Sequence, residues 1–298
     1  MLNETMKAQM SGKGGFIAAL DQSGGSTPKA LAQYGVPETA YSGDAEMYGE
    51  IHKMRVRIMT APAFSGDKVI AAILFEGTMD GEAEGQPVPT YLWEKRGVVP
   101  FVKVDKGLEA ETDGVQLMKP MPDLDALLDR ASKLGVFGTK MRSVIARASQ
   151  SGIAAIVRQQ FEVAAQIAGH GLMPIIEPEV SIKAPDKAAA EEILRAEIAK
   201  QLEALPGDRK VMLKLTIPTE ADAYESFVRH PKVMRVVALS GGYPRDEACE
   251  KLSHNHGMIA SFSRALIDDL RHNLSDAEFD AVLARSIDQI YRASTQKV

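Results

Sequence analysis

The chain has 298 residues, 45% of them hydrophobic and 25% charged, with 35 Lys plus Arg against 40 Asp plus Glu. Those fractions exclude a disordered or fibrous chain, and a net charge of −5 offers no overall field for nucleic acid, while leaving room for local anion sites. Cys249 is the only cysteine, which excludes an internal disulfide framework and a cysteine zinc site.

From the start of the chain, MLNETMKAQMSGKGG is polar and lacks the apolar stretch of a secretory signal. No run reaches the ~18 apolar residues needed to span a bilayer, so a cytoplasmic protein without a membrane partner is expected. Eight short apolar runs then recur: GFIAAL (15–20), KVIAAILF (68–75), VVPFVKV (98–104), VFGTKMR (136–142), LMPIIE (172–177), RKVMLKL (209–215), KVMRVVALS (232–240) and GMIASFSR (257–264). Between them the period is helical. In 153–167, Ile153, Ile156, Val157, Phe161, Ala164 and Ile167 share one face. Ser275 and Glu278 stand at capping-box spacing ahead of a stripe of Phe279, Val282, Leu283, Ser286 and Ile290.

Eight strands alternating with helices predict parallel βαβ units closed into a single-domain (β/α)8 TIM barrel over 1–298. The rival, an open doubly wound sheet, lacks its dinucleotide fingerprint, because SGKGG and SGGS do not fit G-x-G-x-x-G. The Pro/Gly-rich stretch at 77–90 is expected to be a long loop over one barrel end, with Tyr91 and Trp93 packing a loop. Pro28 is expected to begin the helix after the first strand.

Each run closes on polar residues: Asp21, Glu76, Lys103 with Asp105, Lys140 with Arg142, Glu177 with Glu179, Lys214, Ser240, and Ser261 with Arg264. The C-terminal strand ends of such a barrel converge on one mouth. Lys103/Asp105, Lys140/Arg142 and Glu177/Glu179 are each two apart, so both members of a pair face the same side of a strand. One pair alone is a solvated strand end; three at corresponding points predict a site for a polyanionic substrate with acid–base groups beside it.

Lys214, within VMLKLTI, stands among apolar neighbours. Burial and the nearby cations Lys140 and Arg142 are expected to favour its neutral, nucleophilic amine, which attacks carbonyls to form a Schiff base. Ser240, Gly241 and Gly242 after the seventh run and Arg264 after the eighth predict a phosphate cradle. Ser23 and Ser26, in the turn after the first run, predict a second across the mouth, and two anion sites suggest a bisphosphate. His254 and His256 precede the eighth run, at the wrong end of a barrel strand for catalysis. The other histidines are scattered, so no metal site is expected. Cys249 reads as a buried helical residue.

The chain resembles the class I (Schiff-base) fructose-bisphosphate aldolases, above all their short bacterial type, along essentially its whole length. GKGGFIAALDQSGGSTPKAL, PFVKVDKG, FGTKMRS, PIIEPE, VMLKLTIP, ALSGGY and ASFSRAL carry the likeness. The resemblance implies a β/α barrel that reversibly cleaves fructose 1,6-bisphosphate, in glycolysis and gluconeogenesis, without metal or cofactor. It also implies roles. Lys214 is the Schiff-base lysine, Asp21 transfers the C4 hydroxyl proton, and Glu177 is the acid–base group for carbinolamine dehydration. Lys140 and Arg142 lie beside the reacting carbons, and Lys103 is a further active-site lysine that binds substrate. Ser240, Gly241 and Arg264 hold the ketone-side phosphate, with Gly242, Ser261 and Glu179 alongside, and Ser23 and Ser26 assist at the other phosphate.

This chain departs from the larger animal enzymes at Gln22, where they carry Glu, and at Met141, where they carry Trp. It also lacks their C-terminal tyrosine: its last, Tyr291, reads as helical. The enamine's proton donor is therefore expected to be Glu177, Lys140 or a bound water. Oligomeric state is left open, as are an activity on a different sugar phosphate and a silent sugar-phosphate binder.

Overall fold

The computed structural model describes residues 3–298. Its eight long strands are β1 (Phe16–Leu20), β2 (Val69–Leu74), β3 (Val99–Lys103), β4 (Gly138–Ile145), β5 (Met173–Val180), β6 (Val211–Thr216), β7 (Val233–Leu239) and β8 (Ile259–Phe262). Every one coincides with a run read from the sequence. All neighbours are parallel and follow chain order; β8 returns to β1 and β3 pairs with β4, which closes the barrel. β4 and β5 extend past the expected ends, paired from Gly138↔Met173 to Ile145↔Val180, so Arg142 and Glu179 lie inside strands. Val115–Gln116 runs antiparallel to the end of β4 and supports that extension.

The period of two sorts the strand residues into two separate cores. Ile17, Ala19, Ile73, Phe101, Ile175, Met212 and Val237 are among those that fill the barrel interior, while Ala18, Leu20, Leu74, Val102, Ile176 and Leu213 pack outward with the helices. Continued two residues further, the inward series on five strands reaches Asp21, Lys103, Glu177, Lys214 and Ser261.

The polar N-terminal stretch forms a plug. Helix α1 (Glu4–Gly12) is capped by the Asn3 side chain, which accepts from the Thr5 and Met6 N–H groups at 3.0 and 3.1 Å. Met6 and Met10, four apart on one helix face, join the interior core. The Gln9 amide donates to the carbonyls of Ile70 and Gly97, both at 2.8 Å, and Arg235 donates to those of Ser11 and Lys13 at 3.0 and 2.9 Å. Thus α1 is fastened across the N-terminal end of the barrel.

The remaining long helices are α2 (Ser26–Tyr34), α3 (Gly43–Thr60), α4 (Val88–Arg96), α5 (Leu124–Lys133), α6 (Gln150–Gly169), α7 (Lys187–Ala204), α8 (Arg245–Ser253) and α9 (Asp276–Thr295). Several expectations are corrected. Helix α2 starts at Ser26, ahead of Pro28. Residues 77–90 are not a loop: they form most of a helical turn (Glu76–Met79), a hairpin (Glu82–Ala83 with Gln86–Pro87) and the start of α4. Tyr91 is buried on α4, and Trp93 of the same helix packs against the interior core. Between β6 and β7 the helix shrinks to the single turn Glu225–Val228, filled by the stacked rings of Tyr224 and Phe227 at 6.1 Å. The α9 capping box forms as read, Cys249 is buried in α8, and Tyr291 lies within α9. Among the described residues no helix is long and apolar enough to cross a membrane.

Candidate active site

At the C-terminal mouth of the barrel lies a cavity of about 950 Å³, to which all eight strands or the residues just after them contribute. At its floor, Lys214 is 4% exposed, and its Nζ is 3.1 Å from Glu177 Oε1. Glu177 Oε2 lies 3.0 Å from Lys140 Nζ, which is 2.6 Å from Asp21 Oδ2. Lysine and carboxylate side chains therefore alternate through buried space. The ionic neighbour in contact with Lys214 is Glu177, whose other carboxylate oxygen faces Lys140. Glu177 Oε2 receives no well-directed hydrogen bond, so it retains an acceptor face.

Burial alone raises the Asp21 carboxyl, yet Lys140, Lys214 and Lys103 overcome it and hold the group well below the usual carboxylate range. Burial lowers the Lys140 ammonium, and Asp21, Glu177 and Asp105 more than reverse this, raising it well above an ordinary lysine. At neutral pH the Lys140–Asp21 end of the chain is an ion pair.

Backbone geometry explains why these groups meet. Arg142 stands level with Glu177, and Lys214 with Val237, in the parallel registers. The β5–β6 pairing covers only Ile175↔Met212 and Ile176↔Leu213. The next N–H, that of Glu177, donates instead to Gln160 Oε1 at 2.9 Å, and Gln160 Nε2 donates to Ser143 Oγ at 3.0 Å. Gln160 is fully buried on α6. Sequence reading passed over it, although it stands on the apolar stripe four residues from both Ile156 and Ala164, where an amide signals a specific partner.

Around this floor, Lys103 Nζ bonds Ser23 Oγ at 3.0 Å and lies 2.9 Å from Asp105 Oδ1. The other oxygen of Asp105 accepts from the Arg142 N–H at 3.2 Å. Arg142 is half-buried on the wall, with Nε 2.5 Å from Glu179. Burial lowers its guanidinium, and Glu179, Glu177 and Asp105 raise it above the usual value. Glu179 lines the cavity with its carboxylate committed to Arg142.

The two expected cradles stand at the rim. Ser240 is buried, and the turn after it is closed by the Tyr243 N–H on the Ser240 carbonyl at 2.9 Å. Gly241 has φ +62°, and a Cβ there would approach Ile182 to 2.7 Å, so the turn requires glycine. Ser261 Oγ, buried without a protein partner, borders the cavity together with Arg264. Gly242 is not on the cavity wall: a Cβ there would lie 3.4 Å from the Arg264 guanidinium, so the arginine side chain lies beside it. In the other cradle, Ser26 Oγ donates to the Ser23 carbonyl at 2.8 Å and accepts from its N–H at 3.0 Å. Lys29, one helical turn into α2 and overlooked in the sequence, joins Ser23 and Ser26 on the wall. Among the described residues no group of three His, Cys, Asp or Glu is arranged to hold a metal ion.

Comparisons with known proteins bear on this site. The family described as fructose-bisphosphate aldolase class-I matches residues 2–218. The fructose-bisphosphate aldolase class 1 of a Synechocystis species is 56% identical over 292 residues, 98% of this chain and 97% of that protein. Among solved structures, the fructose-bisphosphate aldolase of Plasmodium falciparum, in complex with TRAP and a small-molecule inhibitor, superposes with a TM-score of 0.73. It is 21% identical, over 99% of this chain and 94% of that one. An archaeal fructose-1,6-bisphosphate aldolase, its catalytic lysine covalently bound to the carbinolamine intermediate, gives a TM-score of 0.53. That match is 12% identical, over 97% of this chain and all of that one. At such identities these two structures establish the fold alone.

Proposed function

The chain belongs to the class-I fructose-bisphosphate aldolase family, and from that premise we propose that it cleaves fructose 1,6-bisphosphate reversibly, through a Schiff base on Lys214, in the cytoplasm. The observation that carries this reading is the buried Lys214 side chain 3.1 Å from Glu177, at the floor of a cavity whose wall also carries Ser23, Ser26, Ser240 and Arg264.

Neutral Lys214 attacks the C2 carbonyl, and the carbinolamine loses its hydroxyl as water, with Glu177 supplying the proton. The resulting iminium is the electron sink. Asp21, kept ionised by Lys140, takes the C4 hydroxyl proton. The C3–C4 bond breaks, C4 becomes the aldehyde of glyceraldehyde 3-phosphate, and the bonding pair moves into an enamine on Lys214. Protonation at C3 and addition of water release dihydroxyacetone phosphate and restore the amine. Glu177 and Lys140, in contact with each other and within the same floor, are the protein groups available for that last protonation. Arg264, Ser240, Ser261 and the Gly241 N–H suit the ketone-side phosphate, and Lys103, Ser23, Ser26 and Lys29 the other.

The test is borohydride reduction in the presence of dihydroxyacetone phosphate, followed by peptide mass spectrometry. A reduced adduct on Lys214 is expected, together with cleavage activity that survives EDTA. Cleavage without an adduct would refute the covalent mechanism, and neither adduct nor cleavage would refute the aldolase reading.

A further inference from the structure

Arg55, on α3, is the largest side chain in the structure with essentially no exposure, at 0%. Its three hydrogen bonds all go to neutral acceptors. Nη1 donates to Thr78 Oγ1 at 2.9 Å, and Nη2 donates to the Gln22 backbone carbonyl at 2.5 Å and to Gln22 Oε1 at 3.3 Å. Nε has no partner, and the guanidinium carbon lies 5.7 Å from the Phe75 ring centroid. Burial brings the guanidinium down to about 10, with Asp21 the first of the charges that oppose this, so it stays a cation at neutral pH. A buried cation held only by neutral groups is costly, and a fold keeps one where the charge or the fork geometry is used.

The use follows from what Arg55 grips. Gln22 is the residue between Asp21 and Ser23, and its Nε2 donates to Ser263 Oγ at 2.7 Å, beside Arg264. Clamping the Gln22 carbonyl and side chain fixes the peptide that carries the Asp21 carboxylate and ties the end of β1 to the end of β8. Thr78, the other anchor, is buried in the helical turn after β2. With Gln22 neutral, the Arg55 charge is not spent on its contact and is left to act on Asp21.

We propose that Arg55 is a positioning residue for carbon–carbon bond cleavage: its guanidinium sets the Gln22 peptide, and with it the Asp21 carboxylate, and supplies positive charge behind that carboxylate. The inference rests on the aldolase reading, and it separates two steps of the reaction. Iminium formation depends on Lys214 and Glu177, which Arg55 does not touch, whereas cleavage depends on Asp21.

The experiment compares R55M and R55K with the unsubstituted full-length chain, measuring trapping of dihydroxyacetone phosphate by borohydride, cleavage of fructose 1,6-bisphosphate, and thermal unfolding. For R55M, trapping at Lys214 is expected within about twofold of the parent and kcat for cleavage about 100-fold lower, the lower range of an acid–base contribution. R55K, which keeps the charge but not the fork, is expected to recover about tenfold of that loss. Unchanged cleavage in R55M overturns the inference, as does a parallel loss of trapping and cleavage, which would mark Arg55 as mere scaffold. If R55M does not fold, R55K decides alone: cleavage about tenfold below the parent with trapping intact supports the inference, and any other pattern overturns it. No adduct and no cleavage in the unsubstituted chain would bring down the aldolase reading, and this inference with it.

Discussion

The lower and upper halves of the barrel interior are built by the same strands on the same period, yet they do opposite work. The lower half, with Ala19, Phe101, Ile175 and Met212 closed by Met6 and Met10 of α1, is apolar. Two residues further along, Asp21, Lys103, Glu177 and Lys214 replace those side chains, with Lys140 between them, and all of these but Lys103 stay buried. Low exposure stabilises the first set and costs the second. The charged floor persists because every charge in it alternates with its opposite within about 3 Å, as at Lys140 to Asp21 and Glu177. Stability is thus held mainly below and reactivity above, on one continuous scaffold.

The sharpest way to break that division is Lys140→Met. It leaves Asp21 and Glu177 buried without the cation between them, and about 3–5 kcal/mol of stability is expected to go, together with nearly all cleavage activity. Denaturant unfolding measures the first and a coupled assay the second. The pH dependence of unfolding should report the same pair. The depressed Asp21 gives stability that is present above its unfolded value of 3.8 and is lost as pH falls below it. The raised Lys140 gives stability that is complete below 10.5 and is lost as pH climbs beyond. In the substituted chain both flanks of the profile should flatten; flanks identical to the parent's would show that the pair does not couple to folding.

Met10→Ala tests the lower half. A loss of about 3 kcal/mol is expected from the cavity it leaves, with cleavage per folded molecule unchanged. A fall in kcat without a fall in stability would erase the distinction between the halves. Gln160→Leu sharpens the boundary at smaller cost. The buried Glu177 N–H and Ser143 hydroxyl lose their partner, at about 2 kcal/mol together. Activity, which needs Glu177 held in place, should fall by more than that destabilisation explains.

How much of this was legible in the sequence follows from the same comparison. Strand positions were readable because eight runs of β-branched and apolar residues are hard to place elsewhere, and the charged strand ends stand out against them. The two-residue spacing of Lys140 and Arg142, and of Glu177 and Glu179, was visible, but not that Glu177 would sit between Lys214 and Lys140. That contact depends on barrel closure, which no local pattern encodes. Arg55 and Gln160 escaped for a related reason: each lies on a helix outside the barrel and acts on a residue of another element, beyond the reach of a helical or strand period. The plug escaped because α1 buries only Met6 and Met10, too few to mark a helical stripe amid polar residues. The stretch at 77–90 misled because its Gly and Pro serve a tight hairpin and a helix start rather than an open loop.

The plug also bears on the order in which the chain assembles. Its fastenings reach from Gln9 to Ile70 and Gly97, and from Ser11 and Lys13 to Arg235, separations of 61, 88, 224 and 222 residues. Contacts of such range close large loops, so they form only after the strands they bridge have come together. Helix α1, which precedes all eight strands, is thus among the last pieces secured, and until then Met6 and Met10 stay without their burial site. A nascent chain would carry those two methionines uncovered at least until Arg235 has been made.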